Sequence, residues 1–346
     1  MAWKLQSLLW VFLPEDRAVN LSLYFFILLL MIFLFSTFIS LKFKKYTAKK
    51  ISMVLMLATL ISWVFLYINR PAWLVASQQE NAGHPDVSEL NWESPSDGLQ
   101  VSELRFKVAG KFVDRMVLAR LDPSKYKFSV HFDPHGSKTA EDWQEELGAT
   151  IVVNGSYFGE NFAPLTPIRA SGVNAGPLQY ISDHGAIVAN ESSVQIIDLR
   201  KKDVFLEINQ YQNAMVSYPL LLDKSRSSTA KDSKTWLASR NFVALDSDGF
   251  VVFGATETGF FTIYNLAKFL EHGPLNLRLA LNLDGGPLVS QIISSGSYRR
   301  NFHGTAEISN SNDVLRALWH STFKTNWKLP IVLVANHVSS GIHNEN

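Results

Sequence analysis

The chain has no cysteine among its 346 residues. That excludes disulfide frameworks, thiolate zinc sites, iron–sulfur clusters and cysteine nucleophiles. Charge is also scarce: charged side chains make up 18% of the sequence and the formal net charge is +1. The basic footprint of a nucleic-acid binder is therefore missing, and no nucleic-acid partner is expected. No Gly-x-Ser-x-Gly, His-Glu-x-x-His or Walker-type glycine loop occurs, and no internal repeat stands out. What the sequence has in quantity is apolar side chains, 47% of the total, and they are unevenly spread.

Ala18 to Leu41 is a run of 24 residues without a charge, and Ile51 to Asn69 a second of 19. Each is long enough to cross roughly 30 Å of hydrocarbon, so the sequence predicts two transmembrane helices over 18–69. Five lysines and no acid lie between them, from Lys42 to Lys50. The positive-inside rule then puts that loop in the cytoplasm, and both termini on the outer face of a bacterial cell membrane. A lipid bilayer is the expected partner of this part. Residues 1–17 read as an interfacial segment, since Leu5 to Leu13 is too short to span.

Residues 70–97 are polar and rich in Ser, Asn, Gln, Glu and Pro, the composition of a linker. The folded domain is expected over 98–340. Residues 70–346 carry 25 basic and 29 acidic side chains, a mildly acidic balance. Short β-rich runs dominate this part, among them 101–108, 112–121, 126–132, 150–153, 186–188, 194–199, 204–208, 242–245, 250–253, 278–283 and 331–334. The clearest helical pattern is 263–272, capped by Thr262 and stopped by Gly273 and Pro274; weaker ones are 141–147 and 313–323. The expected fold class is α+β, a mixed sheet with flanking helices, preceded by the two-helix transmembrane hairpin.

Three junctions bear chemistry. Ile151-Val152-Val153 ends in Asn154-Gly155-Ser156-Tyr157-Phe158, where backbone amides and a side-chain amide can point into a cleft; an ordinary hairpin turn is the other reading. Leu279 to Leu283 is a nearly unbroken apolar run that delivers Asp284, Gly285 and Gly286 just past a strand end, or else makes a plain Asp-Gly turn. Between them, Arg240 opens a hairpin whose turn is Asp246 to Gly249. A guanidinium there can fork a phosphate, or sit on the surface. Asp246 and Asp248 lack the further ligands of a calcium loop and read as turn-forming acids. His131 and His135 lie four residues apart, but Pro134 between them breaks the helix that such a metal pair needs, so no metal and no cofactor is expected.

As an ordered set, Asn154-Gly155-Ser156-Tyr157-Phe158, Ser217-Tyr218-Pro219-Leu220-Leu221, Arg240 with Ala244 and Asp248-Gly249, Leu266-Ala267 and Leu283-Asp284-Gly285-Gly286 resembles the phosphodiester glycosidase family over about residues 100–338. The sequence departs from the family at Val216, where Gln is usual, and at Pro287-Leu288-Val289-Ser290, which delays a serine that commonly follows the glycines. The resemblance implies a hydrolase that cleaves the anomeric C–O bond of a sugar-1-phosphodiester, such as an N-acetylglucosamine-1-phosphodiester, in the cell envelope. It implies Asp284 as nucleophile or general base, and Arg240 with the Gly285 and Gly286 amides on the phosphate. Asn154, Gly155 and Tyr157 would line the sugar, Glu257 or Asp246 would be the second carboxylate, and His303 a late substrate contact. A phosphodiesterase cutting the P–O bond, with or without a metal, and a non-catalytic glycan-binding module are the alternatives.

Overall fold

The computed structural model describes residues 57, 60, 72–77, 84–181, 184–227, 230, 236–311, 314–319 and 327–338. The chain divides into two compact units, Met1–Val75 with Asn310–Ala317, and Ala76–Ser309 with Leu318–Asn346. In the first unit the described helical residues are Leu57, Leu60 and Ala72–Val75 of the short helix Ala72–Ala76.

Strands dominate, and every pairing between the strands described below is antiparallel. One sheet runs in the order Asp86–Val87, Leu99–Val108, Lys111–Leu121, Val251–Thr256, Asn241–Asp246, Leu277–Asn282, Leu220–Leu222, with Glu93–Ser96 also on Leu99–Val108. A second has the order Ser193–Asp198, Gly185–Asn190, Asn213–Ser217, Ile168–Ala170, Val173–Ala175. A third has Tyr298–His303, Ser290–Ser295, Ile151–Asn154, Ile331–His337, Tyr126–Phe132. Their inner faces meet in one core that includes Leu99, Phe128, Ile151, Val153, Ile187, Met215, Val243, Phe253, Leu281 and Leu333. Strand alternation explains the layering: Ile151 and Val153 point into this core, while Val152 points the other way, against Ala140 and Trp143 of the helix Ala140–Leu147.

That helix starts at a capping box, with Thr139 N–H donating to Asp142 (2.7 Å) and Asp142 N–H to Thr139 (3.1 Å), and stops at Gly148 in the left-handed region. The helix Ile263–His272 matches its sequence pattern, with Thr262 as N-cap and Leu266, Ala267, Phe269 and Leu270 buried.

The expected α+β class with a mixed sheet is corrected. The described residues form antiparallel sheets with four helices of only 5, 8, 5 and 10 residues, so the unit is built on sheet-to-sheet packing. No described helix is long and apolar enough to cross a membrane, and no two-helix hairpin stands among the described residues. The spans expected at 18–41 and 51–69 lie outside the described residues except for Leu57 and Leu60. Two local readings also change. Val204–Ile208 is a helix, because the Asp203 side chain accepts from Leu206 N–H (3.0 Å) and caps it. Val314–Trp319 is a strand where a helix was expected. Glu93–Ser96 and Asp86–Val87 show that the polar stretch before residue 98 contributes edge strands.

Candidate active site

Two strand ends from different sheets are stitched together. Ile151–Asn154 lies between Ser290–Ser295 and Ile331–His337, and Leu277–Asn282 lies between Asn241–Asp246 and Leu220–Leu222. Past their ends, Asn154 Nδ2 donates to the Asp284 carbonyl (2.8 Å) and Asp284 N–H donates to the Gly155 carbonyl (3.0 Å). Asn154 Oδ1 accepts from Asn241 Nδ2 (2.8 Å) and from Ser290 N–H (2.9 Å). Asn154 and Asn241 are 1% and 0% exposed, so each bond replaces one that water would otherwise make, and losing either partner leaves a buried amide unsatisfied. The sequence-predicted Asn154, Gly155, Asp284 and Gly285 are thus brought together.

Asp284 and Gly285 are half-buried at this junction, and Asp284 Oδ1 accepts from Gly285 N–H (2.9 Å). Gly286 N–H donates to the Ser239 carbonyl (2.8 Å), so the two glycine amides expected on a phosphate are engaged within the protein. Gly286 has φ +71°, and a Cβ there would lie 2.5 Å from Glu307 Oε2; only glycine fits the turn.

Arg240 is buried under this turn at 3% exposure, not on the surface. Its Nε donates to the Phe261 carbonyl (2.9 Å) and Nη2 to the Trp236 carbonyl (2.6 Å), and Nη1 lies 3.8 Å from where a Cβ on Gly285 would be. Burial pushes the guanidinium down to about 10, against the pull of Tyr157 and Glu307, and it remains a cation at neutral pH.

Tyr157 stacks on Tyr218 with ring centroids 4.2 Å apart, and Tyr218 on His184 at 5.2 Å. The Tyr157 hydroxyl donates to the Tyr218 carbonyl (2.8 Å) and accepts from Asn282 Nδ2 (2.6 Å). Burial first, and the charge of Asp284 second, raise both phenols above their ordinary value. The carboxylate and the two rings are therefore in electrostatic reach of one another.

Other expected residues lie elsewhere or are engaged. The Glu257 carboxylate forms a two-pronged pair with Arg115 (2.8 and 2.9 Å), while its carbonyl accepts from Ser239 Oγ (2.8 Å) and Thr305 N–H (2.8 Å). Asp246 sits five residues along its strand from Asn241, about 17 Å away, paired with Arg120 (2.6 Å). His303 contacts Ser290 and Glu141. Val216 points away from the junction into an apolar cluster with Ala186, Val188 and Val204.

Sequence reasoning gave no site role to Asn241, Asn282 and Glu307, and Tyr218 entered it only within the Ser217–Leu221 motif. Asn241 and Asn282 carried a usable signal, since each stands at an end of an apolar strand and is buried, where an amide must find partners. A groove of about 550 Å³ beside the Phe158–Leu165 loop is lined by Phe132, Pro134, Ala163, Pro164, Leu165 and Pro177; Asp284, Asn154 and Arg240 do not line it. Among the described residues no group of three or more His, Asp or Glu is placed to hold a metal.

A strand-end carboxylate, a buried cation and an aromatic stack thus lie near one another on antiparallel sheets. Residues 147–314, a little under half of the chain, match the model of the phosphodiester glycosidase family. Among solved structures, the catalytic domain of zebrafish N-acetylglucosamine-1-phosphodiester alpha-N-acetylglucosaminidase, auto-inhibited by its pro-peptide, is similar at 16% identity and TM-score 0.51, over 78% of this chain and 94% of that one. A hypothetical protein from Synechocystis is similar at 14% identity and TM-score 0.47, over 72% of this chain and 64% of that one. No curated protein matches in sequence.

Proposed function

We propose that the domain hydrolyses the bond between the anomeric carbon and the phosphate oxygen of a sugar-1-phosphodiester, releasing a reducing sugar and a phosphomonoester. The observation that carries this reading is the convergence of the half-buried Asp284, the buried Arg240 cation and the Tyr157–Tyr218 stack where strands of two sheets end. A phosphate leaves as a stable anion, so the reaction asks more for fixed positive charge at the leaving group than for a strong proton donor. Arg240 meets that need. Two of its donors grip backbone carbonyls, so its plane is held before substrate arrives and no reorganisation is required at the transition state.

Asp284 then serves as nucleophile, or as the base that activates water, on the opposite side of the anomeric carbon. The ring faces of Tyr157 and Tyr218 offer an apolar platform for the C–H face of a sugar. Asn154 has both amide atoms engaged by the protein, so its contribution is to hold the Asp284 turn. The zebrafish enzyme's name gives N-acetylglucosamine as its sugar, and that sugar is the first to test.

The test uses the full chain with nucleotide-linked N-acetylglucosamine in ¹⁸O water. Label in the released sugar, and its loss in Asp284→Asn, is the expected result. Label in the phosphate instead would transfer the reading to P–O cleavage. Product from neither bond across a panel of sugar-1-phosphodiesters would leave a glycan-binding role in its place.

A further inference from the structure

Behind the Asp284 turn, a carboxylate, an imidazole and a hydroxyl stand in hydrogen-bond sequence. Glu141 Oε1 is 2.9 Å from His303 Nε2, and His303 Nδ1 is 3.1 Å from Ser290 Oγ, which also lies 3.1 Å from the Leu288 carbonyl. The three come from separate elements: the helix Ala140–Leu147, the end of strand Tyr298–His303 and the start of strand Ser290–Ser295. Glu141 is a firm anchor, because its helix is capped at Thr139 and fastened by Trp143 Nε1 donating to the Leu329 carbonyl (2.8 Å). A carboxylate at Nε2 favours the tautomer with its proton there, and the single Ser290 hydroxyl proton is then shared between two acceptors, His303 Nδ1 and the Leu288 carbonyl.

The relay touches the turn from two sides. Ser290 N–H donates to Asn154 Oδ1, and Asn154 Nδ2 holds the Asp284 carbonyl. On the other side Gly304, the neighbour of His303, donates to the Val289 carbonyl (2.8 Å) and passes so near that a Cβ on it would be 2.5 Å from the Gly286 carbonyl oxygen. A displaced His303 therefore loosens Ser290 and Gly304 together, and these bracket Asp284, Gly285 and Gly286.

We infer that Glu141, His303 and Ser290 form a positioning relay that fixes the Asp284–Gly285–Gly286 turn in its working geometry. The inference rests on the reading above that chemistry occurs at Asp284. His303 acts through the turn, and in this assignment it is a positioning residue.

The test is His303→Ala in the full chain, with and without added imidazole, followed by sugar release and by amide hydrogen exchange of residues 284–290. The relay predicts kcat lower by about 10–100-fold with KM within about twofold, as for supporting partners of reacting groups. It also predicts faster exchange over 284–290, with imidazole restoring both. Glu141→Ala, half-exposed on its helix, keeps the fold and gives the same changes to a smaller extent. Native exchange over 284–290 in both variants, or a loss that imidazole does not reverse, overturns the relay. If the native chain releases no sugar from any phosphodiester, the functional reading falls while the exchange result still decides the relay.

Discussion

Two acid-bearing turns sit at opposite ends of neighbouring strands in one sheet. Leu245-Asp246-Ser247-Asp248-Gly249 and Leu283-Asp284-Gly285-Gly286 look alike in sequence, each an apolar strand ending in Asp and Gly. Asp246 is 5% exposed and closed on itself: it pairs with Arg120 at 2.6 Å and accepts from the Asp248 and Phe250 amides. Asp284 keeps its carboxylate half-buried, while its backbone is held by Gly155 and Asn154 and a buried cation lies beneath the following glycine. The first turn spends its acid on local structure. The second has its backbone held by other elements, and its Oδ1 accepts from Gly285 N–H (2.9 Å).

The comparison is broken most directly by exchanging the effects of the two acids. Asp284→Asn should reduce sugar release by about a thousandfold or more with little change in melting temperature, as expected for a reacting group. Asp246→Asn should leave kcat unchanged and cost on the order of 3 kcal/mol, because it strips a mostly buried partner from Arg120. Activity assays beside thermal melts decide the matter, and the reverse pattern would refute the contrast.

A second test removes the stitching. Asn154→Ala deletes the donor to Asp284 and the acceptor of Asn241 and Ser290. Loss of activity by about a hundredfold is expected, together with about 2–3 kcal/mol of stability for buried groups left unpaired. Steady-state kinetics and denaturant titration report the two separately.

The glycines sharpen the contrast further. Gly249 has φ +88° with open space around it, so Gly249→Ala should cost about 1 kcal/mol and leave kcat alone. Gly286→Ala meets Glu307 as well as an unfavourable φ, and should cost more than Gly249→Ala and reduce kcat by about tenfold.

A further expectation concerns pH and Asp114, which is fully buried and accepts from the amides of Arg115, Glu257 and Thr258. Through Glu257 it steadies Ser239 and Thr305, next to Arg240 and Gly304. Burial pushes this carboxyl up from 3.8 to about 8. Between those values the native state holds a proton that the unfolded chain releases, so stability should fall as pH rises from about 4 to about 8 and level off above. Denaturation midpoints across that range should lose this slope in Asp114→Asn.

Much of the secondary structure was legible because it is local. The helix Ile263–His272 declares its cap, its stripe and its stop within a dozen residues, and Ser102 to Val108 alternates in and out as a half-buried strand does. Val204–Ile208 was misread because five residues are too few for a period to show, and Asp203 decided the matter by capping. The 313–323 segment has an apolar pattern that suits a helix, yet Val314–Trp319 is a strand.

The site was half legible for the same reason. Asp284, Arg240, Asn154 and Tyr157 stand at strand ends where turn residues announce themselves. Their grouping, the burial of Arg240 and the exclusion of Asp246 depend on which strand lies beside which.

By itself the sequence determined the turns, the caps, the inward and outward faces of the strands and the ordered motifs of the family, since each is set by neighbours along the chain. Tertiary structure alone decided that every described pairing is antiparallel, that Asn241 and Ser290 share Asn154 Oδ1, and that Glu141 meets His303 across 162 residues. Such contacts depend on packing between sheets, where a buried amide or carboxylate takes whichever partner the core brings within 3 Å, and no spacing in the sequence encodes that choice.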